Sequence, residues 1–303
     1  MNKHFDFMGK RIIAAIFSVV LLVVSIGSLV TQGLNFGLDF TGGTQVEVGY
    51  DTPADLTKIR DLLKENNFSD ATVQLFGKPT EVLVRIPPRE GKDKAEVGEQ
   101  VKAVLISVDD TLTLKRVEFV GPQVGEELRD QSGSAMIFAL GLMLVYVTLR
   151  FQLKFALGAV TALFHDVLIV MGFFSVLQIT FDLTVLAAVL AVIGYSLNDT
   201  IVVADRIREN FRKLREGDGV EIINVSLNQT LGRTIITSLT TMLVLTSLAV
   251  FGGELIHGFA VALLVGVVIG TYSSIYVASN VLLAMNISRE DFLEKEEEFP
   301  DVP

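Results

Sequence analysis

The chain has 303 residues, half of them hydrophobic, with a mean hydropathy of +0.52 and no cysteine. That balance excludes an ordinary soluble domain, and the missing cysteine excludes disulfides, thiolate metal sites and a cysteine nucleophile. The net charge of −10 is concentrated in residues 32–131 and in the tail from Asn286, which leaves no basic face for a nucleic acid.

Six nearly uncharged runs cover residues 12–30, 133–149, 155–177, 183–204, 234–251 and 258–285. Each is about long enough to cross ~30 Å of hydrocarbon at ~1.5 Å per residue. The expected fold class is therefore a polytopic α-helical membrane protein with six transmembrane helices. The first run follows Lys10 and Arg11 as a signal peptide would, but it is longer than a typical signal core and has no clear cleavage site. It reads as a retained first span, so residues 1–31 are an N-tail plus that span.

Residues 32–131 form one small domain between the first two spans. "TQVEVGY" alternates Val46, Val48 and Tyr50 on one face, a strand. Thr52 and Pro53 suit the N-cap and first position of a helix that aligns Leu56, Ile59, Leu62 and Leu63. "ATVQLF", "GKPT" and "EVLVRI" read as two strands and a turn. A second helix is expected over 92–108, and "LTLKRVEFV" is a last strand stopped by Gly121 and Pro122. The order βαββαβ predicts a ferredoxin-like α+β domain.

Residues 132–285 hold the other five spans, joined on one side by a loop at 205–233. Lys and Arg crowd that loop, the N-tail and the turn at Arg150 and Lys154, whereas the turns at Asp182 and Glu254 carry neither. This asymmetry predicts cytoplasmic N- and C-termini and an extracytoplasmic domain. The tail 286–303, "REDFLEKEEEFPDVP" from Arg289 at its core, reads as a solvated, poorly ordered end. No internal repeat is apparent, and with six spans the chain looks like half of a transporter-like unit.

Ionisable groups at membrane depth cost several kcal/mol (roughly) and are seldom kept without use. The third run holds His165 and Asp166 near its middle, and the fourth holds Asn198 and Asp199. Tyr195, Asn198, Asp199 and Val202 recur at helical spacing and are expected on one inward face. Burial disfavours a charged carboxyl and a nearby cation favours it, so an acid balanced between the two can load and release a proton. The plainer alternative is that these side chains hydrogen-bond helices together. For His165 and Asp166 the plain alternative is an adjacent pair that satisfies itself or a neighbouring helix.

Arg233 opens the fifth run at the leaflet of Asp199, either as a positive-inside anchor or as its partner. Asp205, Arg206, Arg208 and Glu209 read as a solvated helix end. "GVVIG" (Gly266–Gly270), continued by Ser273, Ser274, Ala278 and Ser279, permits close helix contact, internal or with a partner. The chain has no P-loop, no metal-spaced ligand set and no nucleophile elbow, so no enzyme is expected and the metal reading is none.

At these motifs the chain resembles a known family. "GLDFTGGTQVEV" outside the first run, "FHDV" in the third, "IGYSLNDTIVVADRIREN" in the fourth, "RTIITSLTT" opening the fifth and "GTYSSIYVASNVLL" in the sixth are similar to the SecF family of protein-export membrane proteins. The resemblance covers nearly the whole chain to about residue 285. It implies membership of the resistance-nodulation-division superfamily and six of the twelve spans of a unit formed with SecD. It also implies an inner-membrane location, association with the SecYEG channel, and use of the proton gradient to draw out translocating polypeptide late in export. Protons would be the coupling ion, with no organic cofactor. Carried over, Asp199 falls on the family's proton-pathway acid and Arg233 on its functional arginine, with Asn198 helping to orient the acid. His165, Asp166 and Asp205 are secondary candidates. Gly37, Asp39, Gly42 and Gly43 fall on a signature at the membrane boundary, where the glycines suit a tight turn. The alternatives are half of a small-molecule exporter of the same superfamily, or a non-pumping scaffold.

Overall fold

The structure, a computed structural model, describes residues 5–89, 94–107, 112–214 and 217–292. The first span is α1 (Arg11–Thr31), followed by a single turn, α2 (Leu38–Thr41). The outer domain then runs β1 (Gly43–Gly49), α3 (Leu56–Glu65), β2 (Thr72–Phe76), β3 (Lys78–Ile86), α4 (Lys94–Ile106) and β4 (Thr113–Val120). Five long helices complete the chain: α5 (Pro122–Arg150), α6 (Leu153–Leu177), α7 (Leu183–Lys213), α8 (Gly219–Phe251) and α9 (Glu254–Ala284). With α1 they make six helices long and apolar enough to cross a membrane.

The four strands are ordered β2-β3-β1-β4 with every pair antiparallel, the arrangement that βαββαβ predicts. Val46, Val48, Val82 and Val84 point from the sheet into a dry layer under Ile59 and Leu63 of α3 and Val101 and Leu105 of α4. Each such fully buried side chain contributes about 1.5–3 kcal/mol. The first helix of this domain starts later than Thr52 and Pro53 indicate. Asp55 is the cap, because its carboxylate accepts from the Thr57 and Lys58 amides at 3.0 and 3.2 Å. Of the expected second helix, residues 92–93 and 108 lie outside the described residues.

The helices extend past the apolar runs. The expected loop 205–233 is mostly helix: α7 continues to Lys213 and α8 begins at Gly219, leaving a short connection of which 215–216 lie outside the described residues. Asn210 of α7 donates to Ser226 and Gln229 of α8 at 2.8 and 2.9 Å, and Ile207, Phe211, Ile222 and Ile223 are buried beside them. Polar bonds and apolar burial thus keep both helices wound beyond the span. In the same way α5 starts at Pro122, so residues 122–131 are the outer end of the helix that holds the second apolar run. The tail also departs from expectation. Residues 293–303 lie outside the described residues, but Phe292 stacks on Phe211 at 5.2 Å and Asp291 pairs with Lys154 at 2.7 Å. The start of the tail is therefore docked.

Helices α6, α7 and α9 form the centre, with α1 against α6 and α9, α8 against α7 and α9, and α5 at the edge. The parallel pair α7 and α9 approaches closely because of two glycines. A Cβ on Gly266 would overlap Val192, and one on Gly270 would lie 3.0 Å from Ser196 Cβ. The GxxxG spacing therefore serves internal packing.

Two outcomes follow. Gly266→Leu should lower the thermal midpoint in detergent by the equivalent of at least ~1–3 kcal/mol, the usual cost of overpacking. Val192→Ala should recover part of that loss in the double variant. In the outer domain, Lys115 donates to Glu81 at 2.5 Å and, with Lys78, holds its carboxyl below the ordinary value of 4.5. A depressed folded value means stability present above the ordinary carboxylate range and lost as pH falls through it. Acid titration of the full chain, followed by proteolysis of the outer domain, should show a shallower loss in Glu81→Gln than in the unmodified chain.

Candidate functional site

Two carboxylates are buried among the central helices, and their surroundings differ. Asp166 of α6 is wholly buried and its acceptors are occupied. Its Oδ1 lies 2.9 Å from His165 Nδ1. Its Oδ2 accepts from Ser196 of α7 at 2.6 Å and from Ser273 of α9 at 2.7 Å. Ser196 reaches this point because Gly270 lets the two helices close on it. The cluster ties three helices together at one carboxylate, which is what the plainer reading of His165 and Asp166 describes. His165 Nε2 is buried without a hydrogen-bond partner, beside a cleft of about 400 Å³ between α1, α6 and α9. The imidazole stacks on Tyr272, whose hydroxyl donates to the Ala14 carbonyl at 2.6 Å.

Asp199 lies one turn beyond Ser196 on α7 and is 3% exposed. Its Oδ2 is buried and has no hydrogen-bond donor. Tyr195 donates to Ser238 at 3.4 Å and Asn210 donates to Ser226, which sets α7 and α8 antiparallel with Asp199 level with Thr234. The Thr234 hydroxyl is also buried without a partner. Arg233 precedes it on the exposed surface of α8. Its guanidinium is near enough to act electrostatically on Asp199, yet no ion pair within 4 Å joins them.

Asn198 does not share the surroundings of Asp199. It is exposed and lines an apolar groove with Leu142, Met143 and Tyr146 of α5. The expected common face thus divides, with Tyr195 toward α8, Asn198 outward and Asp199 inward. The reason is angular: successive helical residues are about 100° apart, so two neighbours seldom reach one interior point. Asp205 lies further along α7 with a half-exposed side chain, 3.9 Å from Arg150, remote from the buried acids. Among the described residues no three His, Asp or Glu side chains converge as a metal site.

The signature residues converge at the outer ends of the helices. Gly42 and Gly43 have φ of +66° and +114°, a region that side-chain-bearing residues avoid. A Cβ on Gly42 would lie 2.8 Å from Pro122 Cα, so the turn also packs against the start of α5. Gly37 has ordinary φ but needs space: its amide donates to the Phe181 carbonyl at 2.8 Å, and a Cβ there would lie 2.9 Å from Asp182 Cβ. Asp39 accepts from the Leu183 amide at 3.0 Å, and Asp182 accepts from Val185 at 2.9 Å. Two carboxylates therefore meet the open amides and positive dipole end of α7. Sequence reading gave Ser273 only as a small residue permitting helix contact, and it missed Ser196, Phe181 and the cap at Asp182. Only the last had a local signal, an Asp directly before an apolar helical run.

Both oxygens of Asp166 thus have partners, whereas the buried Oδ2 of Asp199 has none. The chain matches the family model "Protein export membrane protein SecD/SecF, C-terminal" over residues 100–288 and "SecD/SecF GG Motif" over residues 27–54. It is 55% identical to protein translocase subunit SecF of Pseudomonas aeruginosa, over 95% of this chain and 94% of that protein. It is 50% identical to the subunit of the same name from Vibrio alginolyticus, over 100% and 98% of the two chains. Among solved structures it is similar to SecDF of Thermus thermophilus, described as a translocon-associated membrane protein, with a TM-score of 0.86 and 38% identity. The match covers 94% of this chain but only 39% of that one, so this chain spans well under half of the SecDF polypeptide. Matched along nearly its whole length by SecF subunits and by both family models, the chain belongs to the SecD/SecF family of protein-export membrane proteins as one of its SecF members.

Proposed function

We propose that this chain works with a SecD subunit beside the SecYEG channel, in a bacterial inner membrane, and uses the proton-motive force to assist late stages of polypeptide export. Asp199 is the group that loads and releases the proton, and Arg233 modulates it. The observation that carries this reading is the buried Asp199 oxygen with no donor, beside an Asp166 whose acceptors are filled. The SecD contact is assigned to the face where α5, α7 and α8 present Asn198 and Arg233 at span depth, since polar side chains turned toward lipid are costly. The basic residues of the N-tail and the α7–α8 connection support cytoplasmic termini.

One proton crossing 100 mV releases about 2.3 kcal/mol, and each pH unit adds about 1.4 kcal/mol. Domains are stable by roughly 5–15 kcal/mol, so a few protons bias the motion of a chain in transit and do not unfold a folded one. A packing role is favoured for Asp166 alone, by its three bonds.

In vesicles holding this chain with its SecD subunit, Asp199→Asn should abolish proton flux and reduce gradient-stimulated export at least ~10-fold, a change of about 1.4 kcal/mol or more, with assembly intact. Survival of both flux and export would reject the pump and leave the scaffold. Asp166→Ala should instead lower the thermal stability of the complex by about 3 kcal/mol or more, the cost of stripping a buried hydrogen-bonded charge network. Arg233→Ala should shift the pH at which flux is half-maximal. An unmoved pH profile would remove Arg233 from the mechanism. Loss of resistance to small toxic compounds on deletion would favour the exporter instead.

A further inference from the structure

The proton step at Asp199 makes no use of a second set of contacts, which joins the outer sheet to the first turn of α7. Arg85, on β3, sends its guanidinium Nη1 to the Phe36 carbonyl at 2.9 Å. Burial disfavours the charge on this side chain, and the nearby carboxylates of Asp182 and Asp39, which cap the start of α7, favour it. From Phe36 the link continues through the loop to α7. The loop forms a parallel bridge to Phe181, and its backbone bonds run from Gly37 to Phe181 and from Phe181 to Asn35, both at 2.8 Å. The rings of Phe36, Phe40 and Phe181 fill the space behind it, with centroids 5.6–6.3 Å apart. Asp39 then closes on the Leu183 amide. A second footing lies nearby, where Glu254, the first residue of α9, packs against the β2–β3 turn at Gly77. The outer domain therefore bears on the starts of α7 and α9, the two helices interlocked at Gly266 and Gly270.

An α-helix transmits displacement along its axis, and Asp199 sits about 24 Å down α7 from Leu183 at ~1.5 Å per residue. We propose that Asp39 and Arg85 are positioning residues that gear the outer sheet to α7, so that a displacement of the Asp199 helix is delivered to the outer domain through this loop. The proposal rests on the proton reading of Asp199 for its source of motion, but the link itself can be measured apart from it.

The chain has no cysteine, so a pair of nitroxides can be placed at Lys64→Cys on α3 and Ala187→Cys on α7. In the full chain, assembled with its SecD subunit, the distance distribution should be narrow. Asp39→Ala and Arg85→Ala should broaden it at least twofold. Asp39→Asn should not, because an asparagine oxygen caps the same amide. In vesicles that also contain the channel, both alanine variants should lose gradient-stimulated export about tenfold while Asp199-dependent proton flux persists, which is the signature of uncoupling. Asp39→Asn should retain both. An unchanged distribution in the two alanine variants overturns the proposal. So does normal export despite a broadened one, and so does joint loss of flux and export, which makes the residues merely structural. If flux proves indifferent to Asp199→Asn, the proton reading falls, and the distance measurement still decides whether the link exists.

Discussion

The close approach of α7 and α9 governs the membrane-embedded half of this protein. Helices in lipid gain little from burying apolar surface against one another, so they are held by tight backbone contact and by hydrogen bonds between them. Gly266 and Gly270 supply the contact, and the contact places Ser196 and Ser273 within 2.7 Å of a single carboxylate oxygen. Asp166 thereby joins α6, α7 and α9 at one side chain. One helical turn on, Asp199 Oδ2 is buried with no such donor. Two aspartates of equal intrinsic chemistry are thus given different surroundings by what the neighbouring helices present to them.

The polar residues outside this interface follow from the same geometry. Asn198 is covalently adjacent to Asp199, yet it faces the groove beside α5, while Arg233 lies on the outer surface of α8. An amide and a guanidinium thus stand on the flank of the six helices, and in a similar solved structure the matched unit is part of a longer SecDF polypeptide. The acid itself is enclosed by its own chain, whose Arg233 acts on it electrostatically.

The loop between α1 and β1 solves a different problem. The free energy of one proton is a few kcal/mol, and fixing the backbone of a single residue costs about 1–2 kcal/mol. A connection with several loose residues would dissipate the first in the second. Here the glycines remove the side chains that would hold the backbones apart, the phenylalanines fill the gap, and Asp39 completes the α7 cap from outside the helix. The fold thereby joins the outer sheet to α7 through backbone hydrogen bonds and packed rings.

Much of this was legible in the residues themselves. The six apolar runs, the alternation of Val46 and Val48, and the order βαββαβ depend on spacing along the chain, and spacing is what periodicity reads. The costly acids were visible for the same reason, since few charges interrupt the runs. What spacing could not decide is which acid would be satisfied. That depends on Ser196 and Ser273, which lie 30 and 107 residues from Asp166 in sequence and meet it only because glycines on α9 admit α7. Nor could it assign the signature, because Asp39 finds its amide 144 residues away. Local order is set by neighbours in the chain; the surroundings of the two buried acids and the contact of α7 with the outer domain are set by neighbours in space, through hydrogen bonds that exist only once the helices have packed.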